Sequence, residues 1–312
     1  MRVLITGANG CIGTWIVKRL LERNIDALIF ELDAKPARLA QLISEDELKR
    51  VPIEVGRIED TAHVKALVKN EGITHIIHLA AVLMPFCQQQ PATGGLVNVV
   101  GTLNVFEAAR DAGRPVRVVY ASSSAVWGPI EAYEQRALNE DDPPLPVTHY
   151  GVFKQANEGN ARAFHAANGI SSVGLRPWAV YGFGRDFGLT SDPTIAIKSV
   201  AHGEPFQIRI SGPMDMQYVE DVAEIFIRCL LSEKEGAHVF NLAGQVIRME
   251  DFAGLLERIR PGAAKLITVK GQPVPVSSNM DASRLSAYLG ETPATALEDG
   301  IRRTLAIYDR LR

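Results

Sequence analysis

The chain alternates between two hydrophobic periods. Short apolar, β-branched runs occupy Arg2 to Ile5, Ala27 to Phe30, Pro52 to Val55, Thr74 to Leu79, Val116 to Tyr120 and Val173 to Leu175. Between them apolar residues recur every three or four positions, as at Ile12, Ile16 and Leu20 with Val17 and Leu21 beside them. The first pattern predicts strands, and the second predicts helices packed on one face. Asp60 reads as the N-cap of a helix through His63 and Leu67. A loop at Met84-Pro85-Phe86-Cys87 is followed by a long helix with Asn98, Gly101 and Thr102 near its middle. Gly101 inside a helix costs about 1 kcal/mol relative to alanine, which close approach of another backbone would explain. Pro143, Pro144 and Pro146 interrupt the chain before Thr148 or His149 opens the next helix. Further on, Asp221 to Leu231 is amphipathic, and the Asp281 and Thr295 regions read as two closing helices.

Composition narrows the classes. The 312 residues are 46% hydrophobic and 22% charged with a net charge of −3, values of a soluble globular protein with no electrostatic case for a nucleic-acid partner. No run reaches the eighteen or so apolar residues of a membrane span. A strand begins at once, which leaves no room for a signal peptide. Cys11, Cys87 and Cys229 form neither a disulfide framework nor a zinc pattern, so the expected compartment is a reducing cytoplasm and no metal is expected. His75 and His78 read as strand residues rather than ligands.

Candidate chemistry starts at the first strand's end. Gly7, Gly10 and Gly13 follow it at spacings of three and precede the first helix. Glycines let a backbone approach a pyrophosphate, and a helix start offers unpaired N–H groups to its charge. An ordinary strand-to-helix turn would show the same glycines. Asn9, Cys11 and Ile12 complete the turn as expected cofactor contacts. Glu31 ends the second strand eighteen residues after Gly13, where a carboxylate accepts the adenosine ribose hydroxyls and repels the 2′-phosphate of NADP. NAD is therefore favoured, while Lys35 and Arg38 keep NADP open. Asp33 reads equally as a second ribose contact or an exposed turn acid. Ile58, Leu79, Ala80 and Ala81 follow later strands, where ligands of open α/β sheets lie. Met84 either lines a substrate pocket or is simply buried.

Ser122-Ser123-Ser124 stand at the fifth strand's end, and Tyr150 and Lys154 share one helix face. A free tyrosine with a pKa near 10 is too weak an acid to serve as a base at neutral pH. An adjacent ammonium favours the phenolate, as does the positive ring of an oxidised nicotinamide. Such a tyrosine takes a hydroxyl proton as hydride leaves the same carbon. A serine hydroxyl orients the substrate oxygen.

Together these residues resemble the extended short-chain dehydrogenase/reductase family, which includes nucleotide-sugar epimerases and dehydratases. The resemblance rests on Thr6 to Gly13, His78 to Ala81, Asn98 with Gly101-Thr102, Ser122 to Gly128, Tyr150 to Lys154, and Leu175-Arg176-Pro177 with Val180-Tyr181-Gly182. It implies Ser123, Tyr150 and Lys154 as catalytic residues, Lys154 and Tyr150 on the nicotinamide ribose, Asn98 beside the active site and Pro177 beside the nicotinamide. It also implies a homodimer. Three departures stand out. Ser124 and Ala125 replace the acidic residues of dehydratases, which argues against water loss. Met214 stands where nucleotide-sugar enzymes carry a phosphate-gripping arginine, with Arg185 or Arg209 as substitutes. Arg57 stands at the position of the usual adenine-contacting aspartate.

The expected architecture is α/β, a Rossmann-like doubly wound parallel sheet with a smaller, interleaved C-terminal substrate-binding part. The dinucleotide-binding domain spans 1–177 with a return segment at about 213–240. The substrate part spans 178–212 and 241–312. The expected activity is NAD-dependent oxidation of a secondary alcohol on a free sugar, sugar acid or hydroxy acid, as dehydrogenase or epimerase, with Ser123, Ser124, Tyr150, Met84 and Arg185 touching substrate. A UDP-sugar epimerase is the alternative. A non-catalytic NAD(P)-sensing regulator is the remote one, disfavoured because both Tyr150 and Lys154 are present.

Overall fold

The computed structural model describes residues 1–133 and 136–312. Its strands are β1 (Arg2–Thr6), β2 (Asp26–Glu31), β3 (Ile53–Val55), β4 (His75–His78), β5 (Arg117–Ala121), β6 (Ser172–Arg176), β7 (Ala179–Tyr181), β8 (Phe206–Ser211), β9 (Pro213–Tyr218), β10 (Ala237–Asn241), β11 (Gln245–Arg248) and β12 (Ile267–Pro273). Seven of them form one sheet in the order β10-β6-β5-β4-β1-β2-β3, with every pairing parallel. The expected doubly wound sheet is therefore present. The chain starts at β1, winds outward to β3, then returns to β4 on the other side of β1. That reversal opens a crevice at the carboxyl ends of β1 and β4, where ligands of such sheets bind.

Helices cover both faces, so the central strands read as continuous apolar runs rather than alternating ones. Val3, Leu4 and Ile5 of β1 are fully buried. On one face, Trp15 and Ile16 of the helix Cys11–Glu22 join Val222 and Phe226 of the helix Val219–Leu231 in a single cluster. An ion pair from Arg23 to Glu224 at 2.6 Å ties those two helices at their surface. On the other face Val64, Phe106 and Ala161 come from the helices Thr61–Asn70, Gly101–Asp111 and His149–Asn168.

The helix caps follow the sequence signals. Asp60 accepts a hydrogen bond from the His63 amide at 3.1 Å, and Thr148 accepts one from Gly151 at 3.1 Å. Two local expectations are corrected. Met84 to Cys87 is not a loop but part of a short helix, Met84–Gln89, in which Pro85 sits in the first turn; a proline there sacrifices no helical hydrogen bond. Gly101 is crowded by a side chain rather than by another backbone. A Cβ at that position would stand 2.7 Å from Cγ2 of Ile58. One turn of π-helix, Leu96–Val100, precedes it and carries Asn98.

Of the stretch 213–240, the helix Val219–Leu231 packs against the main body and β10 follows it into the parallel sheet beside β6. β9 pairs instead with β7 and β11 in a separate three-stranded sheet. β12 and β8 form a parallel pair. Among the described residues no helix is long and apolar enough to cross a membrane.

Candidate active site and cofactor cleft

A cleft of about 380 Å³ runs from the glycine turn after β1 to the serines after β5. At its first end the backbone is tightly folded. Gly7 has φ +75°, and a Cβ there would meet the Ala80 nitrogen at 2.6 Å; one at Gly13 would meet Cα of Ala8 at 2.6 Å. These two glycines are needed for packing between turn, helix and β4. Gly10 differs, because a Cβ there would meet only the Gly7 carbonyl oxygen, at 3.2 Å, and the space before it is otherwise open. The helix that follows, Cys11–Glu22, has no side-chain cap and no acidic residue in its first turn. Its first amides are left for an anion, so the residues present fit a dinucleotide pyrophosphate.

Glu31 lies beside this turn at the end of β2. Its carboxylate accepts the Asn9 amide at 2.7 Å and the Leu32 amide at 3.2 Å. Burial raises its pKa above the ordinary glutamate value, and the two amides pull it back. Asp33 accepts the Lys35 amide at 2.7 Å, the role of a turn acid. Arg38 donates to the Asn9 carbonyl at 2.6 Å and to Asp186 at 3.1 Å, crossing from the glycine turn to the loop after β7. Arg57 points instead to Glu59, 2.8 Å away.

At the other end the helix His149–Asn168 presents Tyr150 and Lys154. Tyr150 is hydrogen-bonded to Ser123, and the Ser123 oxygen accepts the Ala125 amide at 3.1 Å. Lys154 donates to the Ala121 carbonyl at 2.6 Å, with Nζ 5.4 Å from the Tyr150 ring centre. Burial pushes the tyrosine up to about 12, opposed by the Arg185 charge and the Ser123 bond. Burial also pushes Lys154 down to about 8. Arg185 is thus a second cation acting on Tyr150, beside the Lys154 that the spacing on the helix suggests.

Behind the serines, Glu158 accepts Ser122 at 2.5 Å and Arg176 at 2.8 and 2.7 Å. The Arg176 guanidinium lies 4.5 Å from the Trp127 ring centre. This buried network fixes the strand end from which Ser123 projects.

Of the expected cofactor residues, Gly7, Gly10, Cys11, Ile12, Gly13, Leu79, Ala81, Tyr150, Lys154 and Pro177 line the cleft. All five expected substrate residues, Ser123, Ser124, Tyr150, Met84 and Arg185, line it too. Asn9, Glu31 and Ala80 are not in the lining; the Asn9 amide donates to the Glu31 carboxylate, and the Ala80 amide to the Thr6 hydroxyl. Ile58 is buried against Gly101 and does not reach the lining. Asn98 is buried one layer back, donating to the Val82 carbonyl at 3.0 Å and to the Cys87 sulfur at 3.3 Å. Arg209 is bound to Asp192 and lies outside the cleft. Sequence reasoning did not single out Thr190, Trp178 or the segment Val274 to Val276, which also line the cleft. They carry no local motif and are brought in by chain crossings.

A sequence model of the NAD dependent epimerase/dehydratase family matches residues 3–243. The chain is 28% identical to UDP-glucuronate 4-epimerase 3 of Arabidopsis thaliana over 338 residues, 96% of this chain and 75% of that protein. It is 26% identical to dTDP-4-dehydro-6-deoxyglucose reductase of Escherichia coli over 315 residues, 97% of this chain and 96% of that one. Among solved structures it is similar to the UDP-glucose 4-epimerase of Thermus thermophilus in complex with NAD. The TM-score there is 0.83 at 26% identity, covering 99% of each chain. The chain is an enzyme that belongs to the NAD dependent epimerase/dehydratase family.

Proposed function

We propose that this enzyme oxidises a secondary alcohol of a sugar carried on a nucleoside diphosphate, as a UDP-sugar epimerase, with Tyr150 as its acid/base. The observation that carries the chemistry is the meeting of Tyr150, Ser123 and Lys154 on the wall of a cleft whose far end is an open glycine turn. The similarity to UDP-glucuronate and UDP-glucose 4-epimerases supports the substrate class.

Gly7 to Gly13 would hold the pyrophosphate of NAD, Glu31 its adenosine ribose, Tyr150 and Lys154 its nicotinamide ribose, and Pro177 would adjoin the nicotinamide. When bound, the cofactor supplies a hydride acceptor at the serine end. The Ser123 oxygen accepts the Ala125 amide, and its hydroxyl, paired with Tyr150, would turn its proton to the substrate oxygen when that oxygen is bound between them. Tyr150 takes the proton from the substrate hydroxyl and can return one to a carbonyl oxygen after the sugar has turned. Lys154 holds the carbonyl end of β5 in register with the Tyr150 helix. Ser124 and Ala125 provide no carboxylate for water loss, so dehydration is not part of the proposal.

The free sugar, sugar acid or hydroxy acid expected from the sequence has less support from the relatives. It stays as a second reading on one observation. Met214, standing where an arginine would grip the nucleotide phosphate, is fully buried on β9 and outside the cleft lining. A homodimer belongs to the proposal as well, since Leu96 and Val152 leave apolar surface exposed on neighbouring helices.

The test is conversion of UDP-glucose, UDP-glucuronate and their free sugars by purified protein, scored by product chromatography and by NADH absorbance. Interconversion of UDP-sugars that disappears in Tyr150→Phe supports the first reading. NADH formation with free acids alone supports the second. Turnover untouched by Tyr150→Phe would defeat both.

A further inference from the structure

Among the described residues, Arg185 is a cation with no carboxylate ion-paired to it. It sits on the loop after β7, half-buried, and lines the cleft between the glycine turn and Tyr150. Its Nη2 donates to the Thr190 hydroxyl at 3.2 Å, and its buried Nε has no hydrogen-bond partner among the described residues. Among the described residues no carboxylate is ion-paired with it, and none lines the cleft. The nearest carboxylate in sequence, Asp186, is taken by Arg38 at 3.1 Å and by the Tyr308 hydroxyl at 3.4 Å.

The other two cations of the cleft have other roles, Arg38 in an ion pair and Lys154 at the β5 end and the proposed nicotinamide ribose. Lys154 is bound to Ala121, and Arg38 bridges Asn9 and Asp186. The loop is shaped around the remaining one. Gly188 has φ +108°, and a Cβ there would stand 3.0 Å from Arg185 Nη2. A buried N–H left unpaired in an apolar-walled cleft is costly and favours a ligand that pairs it. The hydroxyls of Ser123, Ser124 and Thr190 line the same cleft.

We infer that Arg185 receives a carboxylate on the sugar being transformed, so that the preferred substrate is a sugar acid, free or nucleotide-linked. The guanidinium fork and a carboxylate match in shape and charge, which a neutral hydroxymethyl group does not. This inference rests on the proposal that the cleft is the substrate site, but not on whether a nucleotide is attached.

Equilibrium binding to the NADH-saturated protein tests it with two pairs, D-glucuronate against D-glucose and UDP-glucuronate against UDP-glucose. Loss of one charge-assisted bond is worth about a tenfold to a hundredfold change in affinity. The acid of at least one pair is expected to bind wild type by about that factor more tightly. Arg185→Met should bring the ratio close to one and leave NADH affinity within about twofold, while Arg185→Lys keeps part of the preference. Retained NADH affinity shows that the variant is folded. No acid preference in either pair overturns the inference, as does a preference that survives Arg185→Met. Weakened NADH binding with the preference intact also overturns it, because Arg185 would then serve the cofactor's pyrophosphate. Binding is read without turnover, so failure of the Tyr150 chemistry and failure of this inference are separate results.

Discussion

Lys154 gives its ammonium to the carbonyl oxygen of Ala121 at 2.6 Å, across the gap between the Tyr150 helix and the end of β5. The bond sets the position of Tyr150 relative to Ser123, two residues beyond Ala121. Replacing this buried ammonium by an apolar side chain of similar length relieves its desolvation but takes a donor from the Ala121 carbonyl, so the two effects on stability oppose each other. Lys154→Met is therefore expected to lower kcat/KM by about a hundredfold or more, the scale of general acid/base contributions. Stability in urea should change by no more than about 1.5 kcal/mol. Equal loss of activity and stability would mean that the residue is only structural.

The pair behind the serines has the opposite profile. Arg176 and Glu158 are 5% and 2% exposed at their side chains, and Ser122 shares the same carboxylate. Glu158→Ala leaves a guanidinium buried without its anion, which typically costs about 3–5 kcal/mol. Urea denaturation should show a loss of that size with an unchanged m-value. A loss below about 1 kcal/mol would show that the Trp127 face and relaxation suffice to hold the arginine.

His78 links stability to pH. It is held between the Thr6 hydroxyl at 2.7 Å and the Thr102 hydroxyl at 3.0 Å, and burial pushes it down to about 3. The folded chain keeps it neutral, while the unfolded chain protonates it below about 6.5. Its contribution is fully present above that value and is lost as pH falls from about 6.5 towards 3, at up to about 1.4 kcal/mol per pH unit. Stability measured in urea at pH 7, 6 and 5 should decline with this slope. His78→Asn should remove one proton's worth of it.

These contacts differ in how far local sequence announces them. The six strands that place the cleft are apolar runs, and the glycine turn with Tyr150 and Lys154 is local spacing, so both were legible. The segment Met84 to Cys87, expected as a loop, belongs to the short helix Met84–Gln89, which takes Pro85 in its first turn, where no helical hydrogen bond is lost. Ile58, expected at the cofactor, also fills the notch left by Gly101 with its side chain, a contact between residues 43 positions apart that local sequence does not announce. β9 lacks a β-branched run, and its pairing with β7 and β11 comes from tertiary structure. The surroundings of Arg185 depend on a loop whose Gly182, Gly184 and Gly188 all have positive φ, a path that no periodicity encodes.

Cofactor choice is tested at Glu31. Its carboxylate is held at the end of β2 by the Asn9 and Leu32 amides and cannot swing far from the turn. A 2′-phosphate brought there would meet a negative charge in a partly buried setting. Glu31→Ser should raise the ratio of kcat/KM for NADP over NAD by about tenfold or more, the worth of removing about 1.4 kcal/mol of repulsion. Initial rates with both cofactors measure it. An unchanged ratio would mean that discrimination lies elsewhere, for instance in Arg38 and the Asp186 loop.

The acid/base limb should answer to Arg185. Burial raises Tyr150 to about 12, and the Arg185 charge is the larger of the two influences that pull it down. Removing that charge raises the tyrosine further, because a cation favours the phenolate. In alcohol oxidation the phenolate is the active form, so the ascending limb of the kcat profile should move to higher pH in Arg185→Met. Arg185→Lys keeps the charge and should leave the limb near its wild-type position. In the reduction direction the protonated tyrosine is active, so the descending limb should move the same way. A neutral substrate, which leaves the guanidinium unpaired, should show the largest shift. A bound sugar acid neutralises Arg185 and should show little. A wild-type limb in Arg185→Met with a neutral substrate would mean that the charge does not reach Tyr150 in the working complex.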